Sequence, residues 1–141
     1  MPTSLEIVSP EKLLLSRSVD MVVIPASEGD MGVLGGHSSM IVTLRGGTIT
    51  LYEGDQVTDR LFVAGGFAEV TPERCTVLAT EVLPVAEVSK DEGVRRLAEV
   101  EAEFASLHAG NVEEQLMALE RMEAARALIH AAESLLTGSS R

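Results

Sequence analysis

Val22-Val23-Ile24-Pro25-Ala26-Ser27-Glu28-Gly29-Asp30-Met31-Gly32-Val33-Leu34-Gly35-Gly36-His37-Ser38-Ser39-Met40-Ile41-Val42-Thr43-Leu44 is the stretch on which the fold turns. One β-branched run stops at Pro25 and a second starts near Met40. Between them stand Gly29, Gly32, Gly35 and Gly36, the acids Glu28 and Asp30, and His37. The segment reads as a loop pinned at both ends by strands. Such a loop suits an active site, a phosphate cradle or a docking surface.

On either side the chain up to about Val85 is a series of short β-rich runs. The expected strands are Leu5–Val8, Leu13–Leu15, Val19–Ile24, Met40–Leu44, Thr48–Tyr52, Arg60–Ala64, Phe67–Thr71 and Cys75–Thr80. Gly46-Gly47, Gly54-Asp55, Gly65-Gly66 and Pro72-Glu73 punctuate them. Strands spaced roughly 8–12 residues apart with turns between predict an antiparallel sandwich or barrel. Side chains alternate in Thr48-Ile49-Thr50-Leu51-Tyr52, as in a strand with one wet face.

After Pro84 the pattern becomes helical. Ser89 with Glu92 three residues on forms a capping box, and a helix is expected from there to about His108. Its apolar face is read as Val94, Leu97, Ala98, Phe104 and Ala105. Gly110 is read as its C-terminal cap, and Asn111 as the N-cap of a second helix. So short a connection predicts an antiparallel hairpin. In the second helix Ala118, Met122, Ala125, Ile129, Ala132 and Leu136 alternate in steps of four and three, a coiled-coil seam. Met117, Ala124, Leu128, Ala131 and Leu135 broaden it. An Ala-rich seam buries little area, and Gly93 in the first turn costs roughly 1 kcal/mol relative to Ala, so a marginally held hairpin is expected. The Gly138-Ser139-Ser140-Arg141 tail is expected to fray. The fold class is thus α+β, with a β-sandwich over 1–86 and a helical hairpin over 87–141.

Composition narrows the function. The net charge of −11 argues against nucleic acid, because neutralising phosphates requires clustered Lys and Arg; anionic membrane surfaces are disfavoured likewise. Aromatic residues are only 3 %, so the core must be aliphatic. Cys75 is the single cysteine, which precludes an internal disulfide. Neither a signal-like start nor an apolar run of ~20 residues is present. A soluble, acidic, cytoplasmic protein is expected.

Most of the chemistries fail on inspection. A phosphate cradle needs a strand, a glycine turn and a helix N-terminus, but here the glycines lead into the strand Met40–Leu44. Gly65-Gly66 fails in the same way and is read as a two-residue hairpin turn with positive φ. His37 has no His-x-His partner for a metal and is read as bonding backbone or a partner. Ser38 and Ser39 lack a Gly-x-Ser-x-Gly elbow. Cys75 sits in an apolar strand and is read as a packed thiol. Neither catalytic nor metal residues are expected. On the helices Arg95, Arg96, Arg121 and Arg126 belong either to a solvated face or to a surface that meets carboxylates or phosphates of a partner.

These residues carry a resemblance. Pro25-Ala26-Ser27-Glu28-Gly29-Asp30-Met31-Gly32-Val33-Leu34-Gly35-Gly36-His37 resembles the signature loop of the epsilon subunit of F-type ATP synthase, whose mitochondrial counterpart is called delta. Val63-Ala64-Gly65-Gly66-Phe67-Ala68-Glu69-Val70 and Cys75-Thr76-Val77-Leu78-Ala79 agree with a second block of that family. The order of β half and helical hairpin matches across the whole chain. Ala26 stands where Gly is usual, Gly35 where Pro is common, and Asp30 where Glu is frequent.

The resemblance implies a non-catalytic rotor subunit of the central stalk. Its β-sandwich would grip the gamma subunit and rest on the c-ring, through the region carrying Glu28, Asp30 and His37. Its hairpin, with Arg95, Arg96, Arg121 and Arg126, would fold back or extend along gamma toward the alpha and beta subunits, the extended form inhibiting ATP hydrolysis. Location would be peripheral, on the cytoplasmic side of the cell inner membrane. Some members bind ATP through an Ile/Leu-Asp-x-x-Arg-Ala motif on the hairpin. Only Glu92 and Arg95 keep the acid-to-Arg spacing here, so no ATP cofactor is expected. The competing reading is a stand-alone sandwich for a sugar-type ligand with the hairpin as an oligomerisation arm. The few aromatics, Tyr52, Phe62, Phe67 and Phe104, weigh against it.

Overall fold

A computed structural model of the chain describes residues 2–107 and 110–136, without the side chains of 134–136. Ten strands come first: β1 (Thr3–Val8), β2 (Leu13–Val19), β3 (Met21–Ala26), β4 (Gly29–Leu34), β5 (Met40–Leu44), β6 (Gly47–Glu53), β7 (Gln56–Val63), β8 (Gly66–Val70), β9 (Arg74–Leu78) and β10 (Val82–Pro84). A 3₁₀ turn over Val85–Glu87 leads to α1 (Lys90–Ala105) and α2 (Val112–Leu136). The expected α+β order of sandwich and hairpin is the observed one.

The strands fall into two layers. One runs β4-β3-β6-β7-β10 and the other β5-β8-β9-β1-β2, and they join at a corner where Ala26 of β3 pairs with Leu44 of β5. At the far side Arg17 of β2 pairs with Asp59 of β7. The described ladders are antiparallel except one: β1 lies parallel to β9, with Leu5 opposite Cys75 and Ile7 opposite Val77. Leu5, Ile7, Val22, Ile24, Ile49, Leu51, Val70 and Val77 fill the space between the layers, each fully buried. The alternation foreseen in β6 places Ile49 and Leu51 inward.

Three expectations about the β half need correction. The deciding stretch is not one loop: Ser27-Glu28 is a two-residue turn, and β4 pairs along all of β3, from Ala26 opposite Gly29 to Met21 opposite Leu34. Its glycines mask a period of two, in which Met31 and Val33 face inward. Second, Gly65-Gly66 takes positive φ as foreseen (128° and 139°) but makes no hairpin. It is the crossing between layers, since β7 pairs with β6 and β10 whereas β8 pairs with β5 and β9. Third, β10 was not foreseen, being too short to carry a period.

The hairpin begins as predicted. Ser89 Oγ accepts from the Glu92 amide at 3.3 Å, and Asn111 Oδ1 accepts from the Glu114 amide at 3.2 Å. The first helix stops at Ala105, where the Ser106 amide turns back to the Glu103 and Phe104 carbonyls, so Gly110 is not its cap. His108, the expected helix end, and the 138–141 tail lie outside the described residues. The apolar face of α1 is also shifted. Gly93, Leu97, Val100 and Phe104 face α2, while Val94, Ala98 and Ala105 are exposed. Gly93 proves to be a packing residue rather than a weak point. A Cβ there would lie 2.7 Å from Ile129 Cγ1 and 3.2 Å from Ile129 N. In α2 the seam holds for Ala118, Met122, Ala125 and Ala132, with Ile129 half-buried and the Leu135 and Leu136 side chains outside the described set; Leu128 and Ala131 are buried against the sheet, whereas Met117 is exposed.

The hairpin lies back on the sandwich. Phe62 of β7 points away from the sandwich core and is completely buried against Leu128 and Ala131 of α2, with Ala64, Leu83, Val88 and Ala127 around it. That explains why Leu61, Phe62 and Val63 are buried in succession: β7 has the sandwich core on one face and a helix on the other. Burying one such side chain contributes ~1.5–3 kcal/mol. Beside it, a Cβ at Gly46 would approach Ala124 Cα to 2.8 Å.

Candidate functional site

The β3–β4 hairpin projects its turn from the corner of the sandwich. Pro25 is buried and Asp30 opposite it is exposed. The turn is tied down by the Ser27 amide, which donates to the Thr43 carbonyl at 2.8 Å, and by the Arg45 amide, which donates to the Pro25 carbonyl at 2.9 Å. Glu28 is exposed at the tip, and Arg45 Nη2 donates to Asp30 Oδ1 at 2.5 Å. An acidic, rigidly mounted knuckle results, suited to cationic groups of another surface.

His37 stands at the opposite end of β4. Its amide donates to the Leu34 carbonyl at 3.2 Å, and its Nδ1 lies 2.8 Å from the Ser38 carbonyl oxygen, so that nitrogen carries the proton. The Gly36 amide, at a φ of 83°, donates to the Pro72 carbonyl at 2.7 Å, which anchors the bend to the β8–β9 turn. A six-residue strand separates the histidine from the knuckle, a distance of roughly 20 Å at the strand rise. Glu28 and Asp30 therefore form one group and His37 another.

A third surface went unread in the sequence. Phe67 of β8 lies opposite Thr43 of β5 on one side and Leu78 of β9 on the other, and Leu78 lies opposite Val8 of β1. Paired residues share a face, so these side chains form a row across four strands. Phe67 is 55 % exposed, Leu78 45 %, and Ile41, two residues from Thr43 on the same face, 74 %. The hairpin packs on the other layer, at β6 and β7, and leaves this row open. Thr43 in the row and Glu69 opposite Ile41 are polar, but the adjoining Phe67 and Leu78 form an exposed apolar patch of the kind at which another molecule docks. Each residue sits in an alternating strand that reads as ordinary, and only the register across four strands brings them together.

Arg95, Arg96 and Arg121 are engaged in ion pairs. Arg96 meets Glu81 through both terminal nitrogens at 2.8 Å and Glu92 through Nε at 3.0 Å. Arg95 binds Glu92 and, at 2.6 Å, Glu99. Arg121 on α2 reaches Glu103 on α1 at 2.7 Å. Arg95, followed by Arg96, holds the Glu92 carboxyl below its usual range, and Arg121 does the same for Glu103. Arg126 faces a cleft between α2 and the sheet. Burial alone pushes the Cys75 thiol up to about 11, which leaves it uncharged and unreactive at neutral pH. Among the described residues no cluster of three or more His, Cys, Asp or Glu is placed to hold a metal.

Comparison with known proteins agrees with this architecture. Residues 2–85 match the β-sandwich domain of the ATP synthase Delta/Epsilon chain. An ATP synthase epsilon chain of Granulibacter bethesdensis is 63 % identical over 130 residues, which is 92 % of this chain and 96 % of the relative. That of Gluconacetobacter diazotrophicus is 45 % identical over 94 % of each chain. Among solved structures, a chain of the Euglena gracilis mitochondrial ATP synthase, seen in an OSCP/F1/c-ring assembly, superposes with a TM-score of 0.74 at 25 % identity over 92 % of this chain and 81 % of its own. A chain from the Tetrahymena thermophila central stalk and c-ring shares the fold alone, with a TM-score of 0.65 at 13 % identity over 94 % of this chain and 97 % of its own. These matches over nearly the whole length place the chain in the epsilon family of ATP synthase, as a non-catalytic subunit of that complex.

Proposed function

We propose that this chain couples the c-ring to the gamma subunit through its β-sandwich and restrains ATP hydrolysis through its hairpin. The observation that carries the first part is the open row Phe67, Leu78 and Val8, with Ile41 on the same face, on the layer the hairpin does not cover. Gamma supplies the apolar surface for this row. The acidic knuckle with Glu28 and Asp30 and the bend at His37 are the contacts to ring and gamma at the two ends of β4. No described helix is long and apolar enough to cross a membrane, and the proposed place is peripheral, on the cytoplasmic side of the inner membrane.

The second part rests on how lightly the hairpin is held. A small apolar cluster around Phe62, the Gly46 contact and the half-exposed Arg96–Glu81 pair form its seat. Moving such an element from mostly seated to mostly released needs about 5.5 kcal/mol of differential binding. Val112, Leu116 and Leu119, spaced by four and three on α2, are exposed in the seated form and offer the alpha and beta subunits an apolar stripe. The hairpin holds no nucleotide in this reading, since Glu92 and Arg95 are committed to each other. Removing residues 88–141 from the reconstituted complex tests the inhibitory role. Phe62→Ser is included to keep the bared sheet soluble. Hydrolysis should rise several-fold with assembly intact; unchanged hydrolysis rejects the inhibitory role.

A further inference from the structure

Asp30 belongs to two places at once. It stands beside the tip of the β3–β4 hairpin, and it also lines a cleft of about 480 Å³ between the sheet and α2. Arg45 and Arg60 line the same cleft from the sheet, and Glu123, Arg126 and His130 line it from α2. Three guanidinium groups thus share the space with two carboxylates where the hairpin meets the sandwich. Asp30 neutralises Arg45 directly, at 2.5 Å. Arg45 in turn precedes Gly46, where an added Cβ would come within 2.8 Å of the α2 backbone at Ala124.

We propose that Asp30 is the counter-ion that keeps the hairpin seated, so that a cationic group of a partner taking hold of Asp30 at the knuckle loosens α2 from the sheet. With its carboxylate drawn away, Arg45 and Arg126 face the cleft from opposite sides and Glu123 is left as the carboxylate between them. The seated form loses an attraction and gains a repulsion, while the released form, in which α2 has left, feels neither. That difference between two states is what a coupling between sites requires. By the same linkage, release of the hairpin strengthens the hold of the partner on the knuckle. This inference deepens the reading given above and rests on its claims that the knuckle meets a partner and that the hairpin can leave the sheet.

Hydrogen exchange on the intact chain tests it. Asp30→Asn keeps the shape and removes the charge, as engagement by a partner would. The α2 amides from Glu123 to Ala131 should exchange about two- to fivefold faster, the range for a half-exposed charge contact, with the strand amides unchanged. Adding Arg45→Gln to that variant should restore protection, because the unbalanced cation is gone. At 1 M salt, where screening acts within about 3 Å, the difference should vanish. Equal exchange in wild type and Asp30→Asn overturns the inference, as does acceleration of strands and helix alike, or a double variant as fast as the single one. If α2 of the wild type exchanges only together with the strands, the hairpin does not leave the sheet, and the releasable-hairpin reading falls with this inference.

Discussion

Gly66 shows how much one residue decides. At a φ of 139° it already lies where side chains are strained, and a Cβ would stand 2.1 Å from the Leu78 carbonyl oxygen. Gly66→Ala should therefore destabilise the β-sandwich by roughly 3 kcal/mol, from backbone strain and overpacking together. The midpoint of urea unfolding measures this, and a midpoint equal to wild type would refute it. The requirement for positive φ was legible in the dipeptide itself. The crossing was not, because the carbonyl that excludes a side chain belongs to β9, and hairpins and crossings use the same residues locally. Asp30 and His37 carry the same lesson. Seven positions apart in a glycine-rich run, they look like one site until β4 is seen to draw the run out straight.

At the scale of elements, caps and periods were legible wherever neighbours within a turn supplied the forces. Ser89 and Asn111 cap as their spacing predicts. The face of α1 was misjudged because Gly93, the least apolar residue in it, is the one that lets α2 approach. The ends of the hairpin respond to acid through identifiable groups. Arg95 with Arg96 lowers Glu92, and Arg121 lowers Glu103. A carboxyl lowered in the folded state stabilises it above the unfolded value, near 4.5 for these groups, and loses that contribution as pH falls through and below it. Helix ellipticity should accordingly decline below about pH 4.5 before the strand signal moves. Coincident loss of the two signals would show that these pairs do not govern the hairpin.

For the whole molecule the important fact is that its two outer faces differ. One layer carries the hairpin on Phe62, and the other presents Ile41, Phe67 and Leu78 bare. Phe67→Asp and Leu78→Asp, made singly, should each weaken capture of the chain by the rest of the complex about tenfold or more, roughly 1.4 kcal/mol of binding. Circular dichroism and melting should stay unchanged, since neither side chain enters the core. Undiminished capture of both variants would remove this face from the proposed contact with gamma. The layered α+β architecture was legible from period and punctuation, but the asymmetry of the faces was not. Which side of a strand is covered depends on elements far along the chain.

Phe62 has a consequence for how the molecule is made. The ribosome completes the β-sandwich well before it reaches Leu128 and Ala131, the residues that cover Phe62. At 5–20 residues per second this interval lasts roughly 2 to 9 s. For that time a nascent sandwich, already folded, displays an aromatic side chain on one face and the Phe67 row on the other. It is then adhesive on both sides, and more exposed to misassociation than at any later stage.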